Sequence, residues 1–176
     1  MKKKVVFITL VILFSTVFII LYNGLERIET YIPKKIVNKN IINFSAKDFF
    51  SEKKIDFKDL IISDKLTIIN IWSSWCKPCR DEHSYLVKLK NEKKINLIGI
   101  NYKDNPKNSK KFLDSLGNPF SKILVDRNGI ISINIGAYGV PETYIINSNK
   151  KIIKKYIGPL TKKNFEEIIR LSDEIN

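Results

Sequence analysis

Apolar positions along the chain form three kinds of run. The first is continuous. Val5 to Tyr22 is uncharged, and only Thr9, Ser15 and Thr16 interrupt its aliphatic and aromatic character. A helix rising ~1.5 Å per residue over that run covers most of a ~30 Å hydrocarbon layer. Lys2, Lys3 and Lys4 precede it. Such a basic flank stays on the cytoplasmic side and sends the rest of the chain across. A buried helix of a soluble core would not explain those lysines. A cleaved export signal has a shorter apolar core and small residues at the cut. Here Asn23-Gly24-Leu25-Glu26-Arg27 follows instead, so the reading is an uncleaved anchor.

The second kind of run has strand length. Leu66 to Ile71 (Leu-Thr-Ile-Ile-Asn-Ile) predicts a strand buried on both faces, and Ile95 to Ile100 and Ile123 to Val125 predict two more. Thr143 to Ile146 and Lys151 to Ile157 predict a hairpin around Asn147-Ser148-Asn149. The third kind has helical spacing. One helix is predicted from Cys76 to Asn91, with Tyr85, Leu86 and Leu89 on one face. A shorter one runs from Ser109 to Leu116 and is ended by Gly117. Thr161 caps a last helix in which Phe165, Ile168, Ile169 and Ile175 share a face. Ile130 to Ile135 fits both a strand and a helical turn. Ile41 to Phe57 has short apolar groups separated by turns and reads as a hairpin. The expected organisation is an anchor over residues 1–22, a polar linker with Pro33 over 23–40, and an α/β domain over 41–176. No internal repeat or low-complexity stretch is found.

Composition changes this picture little. The formal charge is +13 and 44% of residues are apolar, which excludes wholesale disorder. Lys, Ile and Asn number 27, 31 and 17, a drift spread over the whole chain. The lysines are scattered, with no dense basic run or aromatic-studded stripe, so no nucleic-acid partner is implied. Two cysteines exclude a disulfide scaffold and a four-cysteine zinc site.

Both cysteines lie in Trp75-Cys76-Lys77-Pro78-Cys79, just after a predicted strand and at the start of a predicted helix. A sulfur there faces unpaired backbone N–H groups and the positive end of the helix dipole, which favours thiolate, the nucleophilic form. Lys77 and Arg80 add positive potential. Cys76 is expected to be the exposed attacking thiol and Cys79, one turn deeper, the resolving one. Three alternatives compete with dithiol redox chemistry. A structural disulfide over so short a loop would remove little entropy from the unfolded chain. A metal site from Cys76, Cys79 and His83 lacks a fourth ligand of those types. Haem attachment requires His directly after the second cysteine, where Arg80 stands.

The segment from Ile71 to Cys79 resembles the thioredoxin active site. Cys79-Arg80-Asp81-Glu82-His83, Gly99-Ile100-Asn101-Tyr102-Lys103-Asp104 and Gly136-Ala137-Tyr138-Gly139-Val140-Pro141-Glu142-Thr143 narrow the resemblance to the CcmG/DsbE family. These are membrane-anchored periplasmic thiol:disulfide oxidoreductases of cytochrome c maturation. The resemblance covers about Ile41 to Gly158. It implies a thioredoxin-like fold, a central mixed sheet flanked by helices, with room between Cys76 and Pro141 for the family's central insertion. It makes Pro141 the cis-proline beside the active-site disulfide and lets Val140 pair with an extended substrate segment. Glu82 and Glu142 match acidic residues that line the family's active-site groove, where a carboxylate takes the proton of Cys79. A blander role for Glu82 is a first-turn acid that satisfies the helix dipole. Asn70 stands where thioredoxin carries a buried aspartate. Trp72 and Trp75 are expected to pack and to wall the groove, and His83 to sit structurally or at its edge.

The same resemblance implies a function. The exported face of a bacterial inner membrane is oxidising, whereas haem attachment to a C-x-x-C-H segment needs free thiols. The implied protein reduces a disulfide in apocytochrome c or in a haem-ligation component bonded to it. A membrane electron donor of the DsbD/CcdA type recharges it. It is single-pass, with a cytoplasmic N-terminus and a periplasmic catalytic domain. It carries no cofactor beyond the Cys76–Cys79 pair. The rival readings are a general periplasmic thioredoxin of the TlpA/ResA kind, a DsbA-like oxidase, which usually has His between its cysteines, and a copper-binding assembly protein of the same fold.

Overall fold

The computed structural model describes residues 2–26 and 36–174. The chain divides into two units, residues 1–32 and 33–176. In the first, α1 (Lys2–Glu26) is a single helix. Its stretch Lys2–Tyr22 is long and apolar enough to cross a membrane, and its large apolar side chains are all exposed. The Thr9 and Thr16 hydroxyls donate to the carbonyls of Val5 and Ile12, one turn back. These two polar side chains are therefore satisfied within the helix, as a lipid surrounding demands.

Of the expected linker over 23–40, residues 23–26 continue α1 and residues 27–35 lie outside the described residues. Its last residues join the second unit: Asn38 N–H donates to Ile152 O at 2.7 Å, and Asn40 bridges Lys151. That unit is a mixed sheet of β1 (Ser45–Asp48), β2 (Lys54–Asp56), β3 (Leu66–Trp72), β4 (Ile95–Tyr102), β5 (Lys122–Asp126), β6 (Glu142–Ile146) and β7 (Ile152–Ile157). Around it lie α2 (Lys77–Lys90), α3 (Pro106–Leu116), α4 (Ile130–Asn134) and α5 (Lys162–Asp173). The strand order is β2-β1-β5-β4-β3-β6-β7. The central β5, β4 and β3 are parallel, and the remaining pairs are antiparallel. Every residue of β3 is buried, which is why its sequence is apolar without alternation.

The parallel strands step in one direction across the sheet. Right-handed connections then put α2 and α3 on the same face. There Leu86, Leu89, Phe112, Leu113 and Ile168 pack with Leu66, Ile68, Trp72 and Ile145. On the opposite face Ile69, Ile71, Ile98, Ile100, Tyr144 and Ile146 pack with Phe57, Ile41 and Ile135. Gly99 permits close packing inside the first cluster. A Cβ there would come within 3.0 Å of Trp72 Nε1 and the Phe120 ring, which stacks on Trp72.

One element starts earlier than expected, and one ambiguous segment takes the helical of its two readings. The helix before Gly117 begins at Pro106, not Ser109, because the Asn105 side chain accepts the N–H groups of Lys107 and Asn108. The ambiguous Ile130 to Ile135 segment is α4. The Asp126 carboxylate accepts the N–H groups of Ile131 and Ser132 and the Ser132 hydroxyl, which fixes the turn.

Candidate active site

β3 ends at Trp72, and α2 begins five residues later at Lys77. Ser73 and Ser74 secure this bend. The Ser73 hydroxyl donates to Tyr102 O. The Ser74 hydroxyl donates to Asp104 Oδ1 at 2.7 Å, and its N–H donates to Asp104 Oδ2. Burial alone would raise the Asp104 pKa. The Ser74 N–H and hydroxyl, with Ser109 and Asn101, outweigh it and hold the carboxyl below its usual range. Trp75 is 60% exposed, and its Nε1 donates to Lys103 O at 3.1 Å.

Cys76 is the N-cap of α2, with Pro78 in the first turn. Its Sγ accepts the N–H of Cys79 at 3.1 Å. This is the thiolate-favouring contact that the motif's placement predicts. The two cysteines form a disulfide, with Cα atoms 5.3 Å apart. The expected difference in exposure is small in this oxidised state. Cys76 is 4% and Cys79 2% exposed, because both belong to the apolar cluster against which Val140 also packs. The Val140–Pro141 peptide is cis. Glu142 pairs with Ile71 across β3 and β6, which sets Pro141 level with the end of β3.

Glu82 lies in the second turn of α2 and is fully buried. It is therefore not a first-turn acid at the dipole. Its Oε1 accepts from Asn70 Nδ2 at 2.8 Å, and its Oε2 from Leu160 N–H at 2.7 Å. Asn70 Nδ2 also reaches Thr143 Oγ1 at 3.1 Å. Burial pushes the Glu82 pKa up to about 7, against the opposing pull of the Leu160 N–H and the Asn70 amide. His83, the next residue of α2, is directed toward α3. Its Nε2 meets Gly117 O at 2.9 Å, and its ring packs edge-on against Phe112. Burial lowers its pKa.

The structure does not bring Glu82 and Glu142 together. Asn70 and Thr143 face α2, whereas their neighbours Ile71 and Glu142 face the opposite side of the sheet. There Glu142 and Lys155 form an ion pair of 2.8 Å in which each side chain is 1% exposed. Glu142 Oε1 accepts the N–H groups of Tyr138 and Gly139 at 2.8 and 3.3 Å, and Oε2 accepts the Tyr144 hydroxyl at 3.2 Å. Burial and the neighbouring Glu142 push the Tyr144 phenol well above its usual range. The Lys155 ammonium donates to Gly136 O at 2.8 Å and lies over the rings of Tyr138 and Tyr144. Sequence reasoning assigned no role to Lys155. Its one readable signal is its strand neighbour Tyr156, which faces the other apolar cluster and so turns Lys155 inward.

A disulfide between the N-cap and first turn of a helix, after a central parallel strand and beside a cis-proline loop, defines a thioredoxin-like dithiol redox protein. Comparison narrows this further. Residues 37–169 match the Redoxin family. The chain is 32% identical over 173 residues to thiol:disulfide interchange protein DsbE of Vibrio cholerae, covering 96% of this chain and 93% of that protein. With DsbE of Escherichia coli K12 the identity is 30% over 174 residues, with coverage of 97% and 94%. With thiol:disulfide interchange protein CycY of Rhizobium leguminosarum it is 43% over 109 residues, 62% of this chain and 59% of that one. Among solved structures, the thioredoxin domain of a thiol-disulfide oxidoreductase from Bacteroides vulgatus superposes with a TM-score of 0.66 at 15% identity. That match covers 80% of this chain and 98% of that one, and it bears on the fold alone. The chain belongs to the DsbE family of thiol:disulfide interchange proteins, and Cys76–Cys79 is its redox centre.

Proposed function

We infer that this protein is a dithiol reductant of cytochrome c maturation, held on the exported face of the inner membrane by α1. The observation that carries the reading is the Cys76–Cys79 pair at the N-terminus of α2, in a chain related to DsbE along nearly its whole length. In the reduced protein the Cys79 N–H and the helix end favour the Cys76 thiolate. That thiolate attacks one sulfur of a substrate disulfide and expels the other as a thiolate, forming a mixed disulfide. Cys79 passes its proton to Glu82, directly or through solvent, and its thiolate attacks Cys76 Sγ. The second substrate thiolate leaves. Two electrons have passed to the substrate, and the protein holds the Cys76–Cys79 bond. A membrane dithiol donor of the DsbD/CcdA type reverses the exchange.

Val140 and Pro141 form the wall on which an extended substrate segment lies, and the exposed Trp75 ring, next to Cys76 in the chain, contributes to it. Glu142 acts as a positioning residue, through its bonds to Tyr138 and Gly139 in the loop before Pro141.

The substrate is apocytochrome c or a haem-ligation component bonded to it. Its C-x-x-C-H thiols must be free when haem is attached. The test is covalent trapping. Cys79→Ala leaves the mixed disulfide on Cys76 without a resolving thiol, so it accumulates. Non-reducing electrophoresis and mass spectrometry are expected to find an apocytochrome c or haem-ligation component on this variant. Cys76→Ala is expected to trap nothing. A trapped set without any cytochrome maturation protein would replace this reading with a general periplasmic thioredoxin. Trapping by Cys76→Ala alone would reverse the order of the two thiols.

A further inference from the structure

A cleft of about 300 Å³ opens between the start of α2 and α3. Phe112 lies in it, Trp75 and Arg80, which flank the Cys76–Cys79 pair in sequence, wall it, and Lys111 and Asn108 also line it. The Arg80 guanidinium lies 4.7 Å over the Phe112 ring, and its Nη2 contacts Ser74 O at 3.4 Å. The cation is thereby held over the ring, with other donors still available. The Trp75 ring is tied by its indole N–H to Lys103 O while 60% of its surface stays open. It offers a fixed apolar wall.

The nearby acids Asp104 and Asp114 do not line the cleft. Asp104 accepts from Ser74, Asn101 and Asn105, and Asp114 pairs with Lys110 at 3.8 Å. Among the described residues Lys111 has no ion-pair partner. Asp81 follows Arg80 in α2 but does not line the cleft.

We propose that this cleft binds the carboxylate of an acidic residue in the protein substrate, within a few residues of the cysteine that Cys76 attacks. The proposal rests on the reading of the protein as a dithiol reductant and adds a specificity site to it. Position selects the occupant. The cleft has room for about one or two side chains, and it adjoins Trp75, the residue before Cys76. Whatever fills it during exchange is presented by the substrate itself. Charge selects its chemistry. Arg80 and Lys111 face the cleft with no acid to neutralise them there, and a guanidinium stacked on an aromatic ring is suited to fork-like binding of a carboxylate. Complementary charge at such a site raises encounter rate and fixes register. It also gives part of the basic surface a purpose that the redox motif does not.

The test uses the full chain, reduced, in neutral detergent micelles. The substrates are two cyclic peptides with the same internal disulfide, flanked by aspartates in one and by lysines in the other. At low salt the pre-reduced wild-type chain is expected to reduce the aspartate peptide with a second-order rate constant about tenfold higher. That preference is expected to shrink in 0.5 M salt, where the screening length is roughly 4 Å against roughly 30 Å at 0.01 M. Lys111→Glu and Arg80→Gln are each expected to bring the ratio close to one. Lys163→Glu, which makes the same charge change as Lys111→Glu but on α5, is expected to keep it. Equal reduction of the two peptides by the wild-type chain would overturn the cleft assignment alone. An equal loss of preference in Lys163→Glu would do the same, because net charge and not the cleft would then set the ratio. Reduction of neither peptide would overturn the reductase reading and the cleft with it.

Discussion

At Glu82 a carboxyl lies under the redox helix with one oxygen on Asn70 and the other on the Leu160 N–H. Its pKa, raised to about 7 by burial, has two consequences. The first concerns stability. The folded state holds this proton more tightly than the unfolded chain, whose carboxyl titrates near 4.5. Below that pH both states are protonated and nothing is lost. As pH rises from 4.5 through 7 the folded state loses about 3 kcal/mol relative to the unfolded one. Glu82→Gln keeps the shape and removes the titration. Its stability relative to wild type is expected to climb over that window and then level off. Denaturant unfolding of the oxidised chain in detergent, followed by tryptophan fluorescence, checks this, since both tryptophans lie in the redox unit. A difference that stays flat with pH would remove the titration from Glu82. The second consequence is kinetic. A group that exchanges its proton near neutrality suits the deprotonation of Cys79. In Glu82→Gln, resolution of the mixed disulfide is expected to slow, and its pH profile to lose the inflection near 7. A stopped-flow profile identical to wild type would leave Glu82 with a structural role only.

At the scale of elements, the loop from Gly136 to Pro141 is organised by residues from the opposite face of the sheet. Lys155 holds Gly136 O, Glu142 holds the Tyr138 and Gly139 N–H groups, and the two side chains neutralise each other out of water. Losing one partner of a buried pair strands the other, at a typical cost of about 3–5 kcal/mol. Glu142→Gln and Lys155→Met are each expected to destabilise on that order, and the double variant to recover a large part of the loss. If the pair also positions Val140 and Pro141, kcat/KM for a peptide disulfide should fall about tenfold in each single variant. Unchanged peptide kinetics in a folded single variant would separate the pair from the groove. This cluster also marks where sequence reading stopped. The start of α2 at the cysteine motif, the buried β3 and the β6–β7 hairpin were legible because periodicity and turn residues act locally. The α4 turn was not, because it depends on Asp126 reaching forward to Ile131 and Ser132. Lys155 was hidden for a compositional reason: among 27 lysines, one that faces inward carries no mark of its own. The side of the sheet on which Glu142 lies follows from the register of β6 on β3, and the placement of its partner adds the pairing of β7 on β6.

At the scale of the whole molecule, the proposed membrane attachment would decide which disulfides the redox centre can meet. The stretch Lys2–Tyr22 is 21 residues long. At ~1.5 Å per residue it extends about 32 Å, enough for a hydrocarbon layer of about 30 Å. The same test is passed by export signals that are later removed, so length alone does not separate an anchor from a leader. The basic N-terminal flank is common to both, and the proposal of an anchor rests on the residues after Tyr22, where no pair of small residues stands at cleavage spacing. An anchored reductant is confined to the membrane surface, where a membrane dithiol donor can meet it in two dimensions. A released one would diffuse through an oxidising compartment and lose electrons to unrelated disulfides. The chain is accordingly expected to keep residues 1–22 and to resist carbonate extraction, with the redox unit open to protease from the exported side only. N-terminal sequencing and protease protection check this in cells that express it. A mature chain that begins near residue 23, or a redox unit cut only from the cytoplasmic side, would overturn the anchored topology and with it the route of electron supply.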